Sequence, residues 1–241
     1  MQTRYRWFKI QPLTKLSLAK LSKAFQAKVY GKMVPRGFQI DSVRQDGIEG
    51  VYTERREFEE TVSDPLGGTI SIHRVAFDHL PFVIRSSDAL IRVTNPNKLI
   101  RGFVEQIADA LDYSVAITPI ELDPLIWLNR LKNISDIVSV LNLRSLPFSV
   151  SNSMAGVIRL SGQGDVLNEL SKLLGNRKVQ VSNITIELRR GQMDCKFELR
   201  ATGVAVIYRG SPEEVAGILG TTLISKSDDD QNEMEKKLFD K

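Results

Sequence analysis

The stretch NITIELRRGQMDCKFELRATGVAVIYRGSPEE, Asn183 to Glu214, carries the reading of the fold. Ile184 to Arg190 and Met193 to Ala201 alternate apolar and polar residues on either side of Gly191-Gln192, which predicts a hairpin. Alternation puts Ile184, Ile186 and Leu188 on one face and Thr185, Glu187 and Arg189 on the other. A third strand is expected from Gly203 to Arg209, with Gly210 as the turn behind it. Ser211-Pro212-Glu213-Glu214 then starts a helix that ends near Gly220. Serine caps it, proline takes the first helical position, and the two acids meet the positive end of the helix dipole.

Upstream, LPFVIRSSDALIRVTNPNKLIRGFVEQIADALDYSVAITPIEL (Leu80 to Leu122) matches LPFSVSNSMAGVIRLSGQGDVLNELSKLLGNRKVQVSNITIEL (Leu146 to Leu188). Leu80-Pro81-Phe82 answers Leu146-Pro147-Phe148, Ile91-Arg92 answers Ile158-Arg159, and Ile120-Glu121-Leu122 answers Ile186-Glu187-Leu188. Each stretch reads as strand, strand, loop, helix, strand, which argues for an internal duplication. The strand and helix at 203–220 supply a partial third copy. Between the two copies, Asp123-Pro124 opens a helix through Trp127 and Leu131, and Ile134 to Leu143 reads as a short apolar helix or strand.

At the other end, Arg4 to Ile10 reads as a strand closed by Pro12, followed by a helix capped by Thr14 and running to about Tyr30. Leu18, Leu21, Phe25 and Val29 share its apolar face; Lys20 and Lys23 lie opposite. Residues 38–87 read as β-rich, with strands Phe38 to Val43, Val51 to Val62 and Thr69 to Phe77, and turns at Asp46-Gly47 and Asp64 to Gly68. The charged run Thr53 to Glu60 fits a wet-faced or edge strand. The expected divisions are 1–79, 80–145, 146–224 and a disordered acidic tail at 225–241. The fold class that follows is α+β: a mostly antiparallel sheet with helices on one face, built on the duplicated strand–strand–helix–strand unit.

At 241 residues, 42% hydrophobic and 26% charged, the composition is that of an ordinary globular protein able to bury a core. One cysteine, Cys195, excludes a disulfide framework and a cysteine-based zinc cluster. No apolar run approaches the ~18–20 residues of a membrane span, and no signal-peptide core follows the first residues, so a cytoplasmic location is expected. The net charge of +4 conceals a segregation: residues 1–40 hold nine Lys or Arg and no Asp or Glu. Such a block suits a polyanion.

Chemistry-bearing motifs give little. Glu57 and Glu59 fall on one strand face and Glu60 on the other, with no His or Asp motif beside them, so no metal is expected. The loop Ser161-Gly162-Gln163-Gly164-Asp165 sits where phosphate loops sit, but it lacks the third glycine and the Lys-Ser/Thr pair, and Asp165 makes better sense as a cap. His73 and His79 share one strand face as surface or satisfied polar residues; no GxSxG elbow occurs. Cys195 alternates with Phe197 and Leu199 as a small core residue, and the Asp194-Cys195-Lys196 string lacks the further carboxylate of a nuclease. No cofactor is expected, and the chain reads as a non-enzyme.

Basic residues fit binding better. Arg4, Arg6, Lys9, Lys15, Lys20, Lys23, Lys28, Arg92 and Arg159 are the candidate phosphate contacts, with Arg92 and Arg159 at equivalent positions of the two copies and so expected as a pair. Arg189, Arg200 and Arg209 also punctuate apolar strands. Taken singly, each is the arginine that exposed strand faces ordinarily carry. The block VIRLSGQGDVLNELSKLLG…NITIELRR, Val157 to Arg190, resembles part of the RexA-type phage-exclusion sensors, DNA-binding proteins with a strand, a Gly-Asp-led helix ending in Leu-Gly and a strand closing on basic residues. The resemblance implies a role in phage defence or mobile-element biology and assigns no site residue. The expected function is nucleic-acid binding, DNA before RNA because no aromatic stacking signature occurs, with a homo-oligomer or a protein partner as further possibilities. The rival is an interaction subunit that uses an open sheet face, with Trp7, Phe8, Trp127 and Tyr208 as contacts.

Overall fold

The computed structural model describes residues 2–12, 17–31, 33–85, 89–151, 153–174 and 179–223, which form thirteen strands and five helices. The class is α+β with mostly antiparallel strands. The chain divides into two compact units, Arg6–Pro119 and Met1–Tyr5 with Ile120–Lys241, and the boundary falls inside the first strand.

The Arg6–Pro119 unit contains most of β1 (Thr3–Pro12), then α1 (Leu18–Ala27), β2 (Arg36–Val43), β3 (Gly47–Asp64), β4 (Gly68–Arg85), β5 (Leu90–Thr94), α2 (Ile100–Ala110) and β6 (Val115–Pro119). Its strands lie in the order β1-β5-β4-β3-β2, with β6 antiparallel to β1. One sheet face and both helices close over a single core. Phe8, Phe38, Tyr52, Phe82 and Ile91 meet Leu21 and Phe25 of α1 and Phe103 and Ile107 of α2. Aromatic rings dominate that core, with the Phe25–Phe38 centroids 4.6 Å apart and Phe82–Phe103 5.1 Å apart. The opposite face carries Gln39, Asp41, Glu49, Pro81 and Arg85, all exposed.

The helix cap differs from expectation. Ser17, not Thr14, caps α1, its hydroxyl accepting from the Lys20 amide at 3.2 Å; Thr14 lies outside the described residues. The helix stops at Ala27, so Val29 falls past its end and is half-exposed. The division expected at 79/80 cuts through β4, which runs unbroken over eighteen residues. Pro81 is tolerated there because β5 pairs with β4 only from Phe82 onward, so no partner carbonyl opposes its missing N–H.

The second unit contains α3 (Pro124–Lys132), β7 (Ile137–Ser145), β8 (Phe148–Ser151), β9 (Met154–Gly156), β10 (Arg159–Ser161), α4 (Leu167–Leu174), β11 (Val181–Arg190), β12 (Met193–Arg200), β13 (Val204–Arg209) and α5 (Pro212–Leu223). Its strand order is β10-β7-β11-β12-β13, and β8 and β9 form a separate two-stranded hairpin. Asp123 caps α3 through the Leu125 amide at 2.7 Å, as the Asp-Pro pair predicts. The buried Trp127 indole donates to the Thr222 hydroxyl at 2.7 Å and ties α3 to α5.

The first candidate copy runs strand, strand, helix, strand, the second has a further strand before its helix, and the pairing differs as well. In the first copy β4 pairs with β5 and β6 with β1; in the second β8 pairs with β9, β10 with β7, and β11 with β7 and β12. The 145/146 division falls inside the second unit, where the Leu146 amide donates to Gln180. The tail at 225–241 lies outside the described residues.

Candidate nucleic-acid interface

The β11–β12 hairpin turns at Gly191, whose φ of +56° suits glycine. Its register pairs Ile184 with Leu199, Ile186 with Phe197 and Leu188 with Cys195. These six side chains are buried, and α3 packs on β11 and α5 on β13 to cover them. Burial pushes the Cys195 thiol up to about 11.

By alternation the other face of the same strands points away from those helices, and from β10 to β12 its facing rows are almost wholly polar. Its first row reads Arg159 opposite Arg144, Arg144 opposite Asn183, and Asn183 opposite Arg200, one residue from each of four neighbouring strands. The second row is Ser161, Asn142, Thr185 and Glu198, with the Ser161 hydroxyl bonded to the Asn142 amide oxygen. The third is Ser139, Glu187, Lys196 and Arg209.

Charge on this face is compensated at one end and not at the other. Arg209 donates to Asp194 at 2.9 Å and to Glu187 at 3.4 Å. Glu198 accepts from Arg200 at 2.6 Å and from the Tyr208 hydroxyl at 2.8 Å. Burial, together with that bond, raises the Tyr208 phenol, and the charges of Arg200 and Arg4 oppose the rise. Arg144 and Arg159, by contrast, are both exposed, stand directly opposite one another and have no carboxylate partner among the described residues. Like charges facing each other across a strand pair are destabilising. An anion laid along the row removes that cost.

The candidate residues named from the sequence separate into groups. Arg4 and Arg159 belong to this unit. Arg4 is exposed and alternates with Tyr5, whose hydroxyl donates to Glu213 of α5 at 2.9 Å, so Arg4 takes the polar face. The others lie in the Arg6–Pro119 unit. Arg6 is half-buried with its guanidinium 5.4 Å from the centroid of the Phe8 ring. Lys9, Lys20 and Lys23 are exposed. Lys28 is tied to Asp109 of α2 at 2.7 Å. Arg92 is only 9% exposed, because β5 has a strand on either side and Val83 directly opposite. Arg92 and Arg159 are therefore not an equivalent solvent-facing pair. Lys15 lies outside the described residues. Three of the aromatics offered to a protein partner, Trp7, Phe8 and Trp127, are buried in the chain's own core.

Arg144, Asn142 and Asn183 were not singled out in the sequence. Ile134 to Leu143 reads equally as helix or strand, and without that choice no face can be given to Arg144. The three glutamates weighed as metal ligands do not converge: Glu57 pairs with Arg55, Glu59 accepts from Ser71 and Glu60 pairs with Arg74. Among known proteins, no family model and no curated sequence matches this chain.

Proposed function

We propose that this is a non-enzymatic nucleic-acid-binding protein that holds the phosphate backbone on the polar sheet face of its second unit. The carrying observation is the facing pair Arg144–Arg159, continued by Asn183 and Arg200. Four strands at ~4.8 Å spacing span about 14 Å, the axial rise of about four phosphates of one duplex strand. Ser161, Asn142 and Asn183 add neutral donors of the kind that position a sugar-phosphate chain. Tyr208 is the single aromatic on this face among the described residues, too few for a stacking platform. That favours backbone contact over base stacking, and duplex DNA over single-stranded RNA. Arg159, Asn183 and Thr185 fall within the 157–190 block that resembles the phage-exclusion sensors, so a setting in phage defence belongs to the same proposal.

Binding to a labelled 30-base-pair duplex and to a single-stranded RNA between ~50 and ~200 mM salt tests this reading. Arg144→Gln with Arg159→Gln is expected to flatten the slope of log affinity against log salt by roughly 2, at about 0.9 for each phosphate no longer neutralised. Absence of binding at the lower salt, or an unchanged slope in the double variant, would sink the reading.

A further inference from the structure

The β3–β4 hairpin is paired without interruption from Gly47 opposite Arg85 to Asp64 opposite Gly68. Its neighbours stop early: β2 follows β3 only as far as Glu54, and β5 follows β4 only from Phe82 inward. Residues 55–77 therefore form a two-stranded ribbon with no third strand on either edge, projecting roughly 30 Å at ~3.4 Å per residue. Every residue from Arg56 to Val75 is exposed. A ribbon of two strands is only marginally stable in water until a further surface covers it.

Its composition states what that surface must be. One face carries Phe58, Val62, Ile70 and Ile72, the other Val75 and Phe77, and Leu66 at the tip is 95% exposed. Around them stand Glu54, Glu57, Glu59, Glu60, Asp64 and Asp78 against Arg55, Arg56 and Arg74, a net excess of acid that repels nucleic acid. Apolar patches of this kind, rimmed by charge, mark protein interfaces.

The complementary surface lies in the same chain. Just past the end of α1, Val29, Val34 and Met33 (the last 95% exposed) lie close in sequence to exposed Arg36, and α1 itself carries exposed Lys20 and Lys23, all in a stretch of forty residues with no acid. This patch sits at the root of the arm: the Arg55 amide donates to Pro35 at 2.7 Å, and Arg36 is opposite Glu54. A straight ribbon carries its own tip away from its root, so the tip reaches this patch only on another molecule. Residues 55–77 also supply the ~20–30 residues a side of a standard interface.

We propose that the β3–β4 arm docks on the patch formed by Val29, Met33, Val34 and Arg36 of a second copy of this chain, and that reciprocal exchange of arms closes a twofold dimer. Sedimentation of the full-length protein from about 1 to 100 μM is expected to show a dimer that Leu66→Asp with Ile70→Asp converts to monomer without loss of circular-dichroism signal. Equimolar Leu66→Cys and Met33→Cys proteins are expected to form a mixed disulfide on mild oxidation, against a background kept low by the buried Cys195. A wild-type monomer throughout that range would overturn the proposal. So would a dimer indifferent to the double aspartate variant, or an arm variant that loses DNA binding at unchanged oligomeric state.

Discussion

Thr222 shows how much one hydroxyl can hold. It accepts the Trp127 indole at 2.7 Å and donates to Leu219 at 2.7 Å, while its carbonyl accepts from Arg130 at 3.0 Å. Thr222→Val keeps the volume and strands a buried indole N–H, so a loss of about 1–3 kcal/mol is expected in urea denaturation. Asp123 makes the opposite case. Burial raises its carboxyl above the usual range, although the amides of Leu125 and Ile126 pull it down. A carboxyl whose folded pKa is raised stabilises the fold below its unfolded pKa, and that contribution is lost as pH rises through the folded value. Asp123→Asn keeps a good cap and removes the buried charge, so its advantage over the wild type should be larger in thermal melts at pH 7 than at pH 4. Arg92 and Arg159 mark the limit of residue-level reading. Both follow an isoleucine at matching places, yet β5 has strands on either side while β10 is the last in its unit's order, and the sequence does not say which strand is interior.

At the scale of elements, alternation located the β11–β12 hairpin within a few residues, and the Asp-Pro and Ser-Pro-Glu-Glu signals placed the starts of α3 and α5. What was missed is where local signals compete. The 79/80 division follows the start of the Leu80 repeat, and only the pairing shows that β4 runs on through Pro81, whose missing N–H goes unopposed because β5 begins at Phe82. Turn glycines give a direct comparison. Gly203 has a φ of +69°, and a Cβ there would overlap the Ile120 carbonyl, whereas Gly191 at +56° faces open space. Gly191→Ala is expected to cost about 1–2 kcal/mol from the left-handed backbone alone. Gly203→Ala should cost more than that by at least about 1 kcal/mol, because backbone must move as well. Paired denaturation curves check the difference; equal losses would mean that the 203 turn relaxes freely.

For the whole molecule, the fold class was legible because it follows from the sum of many periodic segments, and no single error upsets it. The site was less so. Charge counting drew attention to residues 1–40, where the basic side chains turn out to be dispersed: Arg6 lies over a ring, Lys28 is paired, and Arg4 and Lys9 alternate to opposite sides of β1. The row Arg159, Arg144, Asn183, Arg200 comes from positions spread over some forty to sixty residues of sequence and exists only once the register is set. The division inside β1 also bears on the order in which the molecule can be made. Arg6–Pro119 holds everything its core requires as soon as residue 119 has been synthesised. The other unit claims Tyr5, whose hydroxyl bond to Glu213 spans 208 positions. On a ribosome adding ~5–20 residues per second, the first unit can close about twenty seconds, at the slower pace, before α5 of the second has been made. One half of a single strand is thus in place while the other half still waits for its neighbours to emerge.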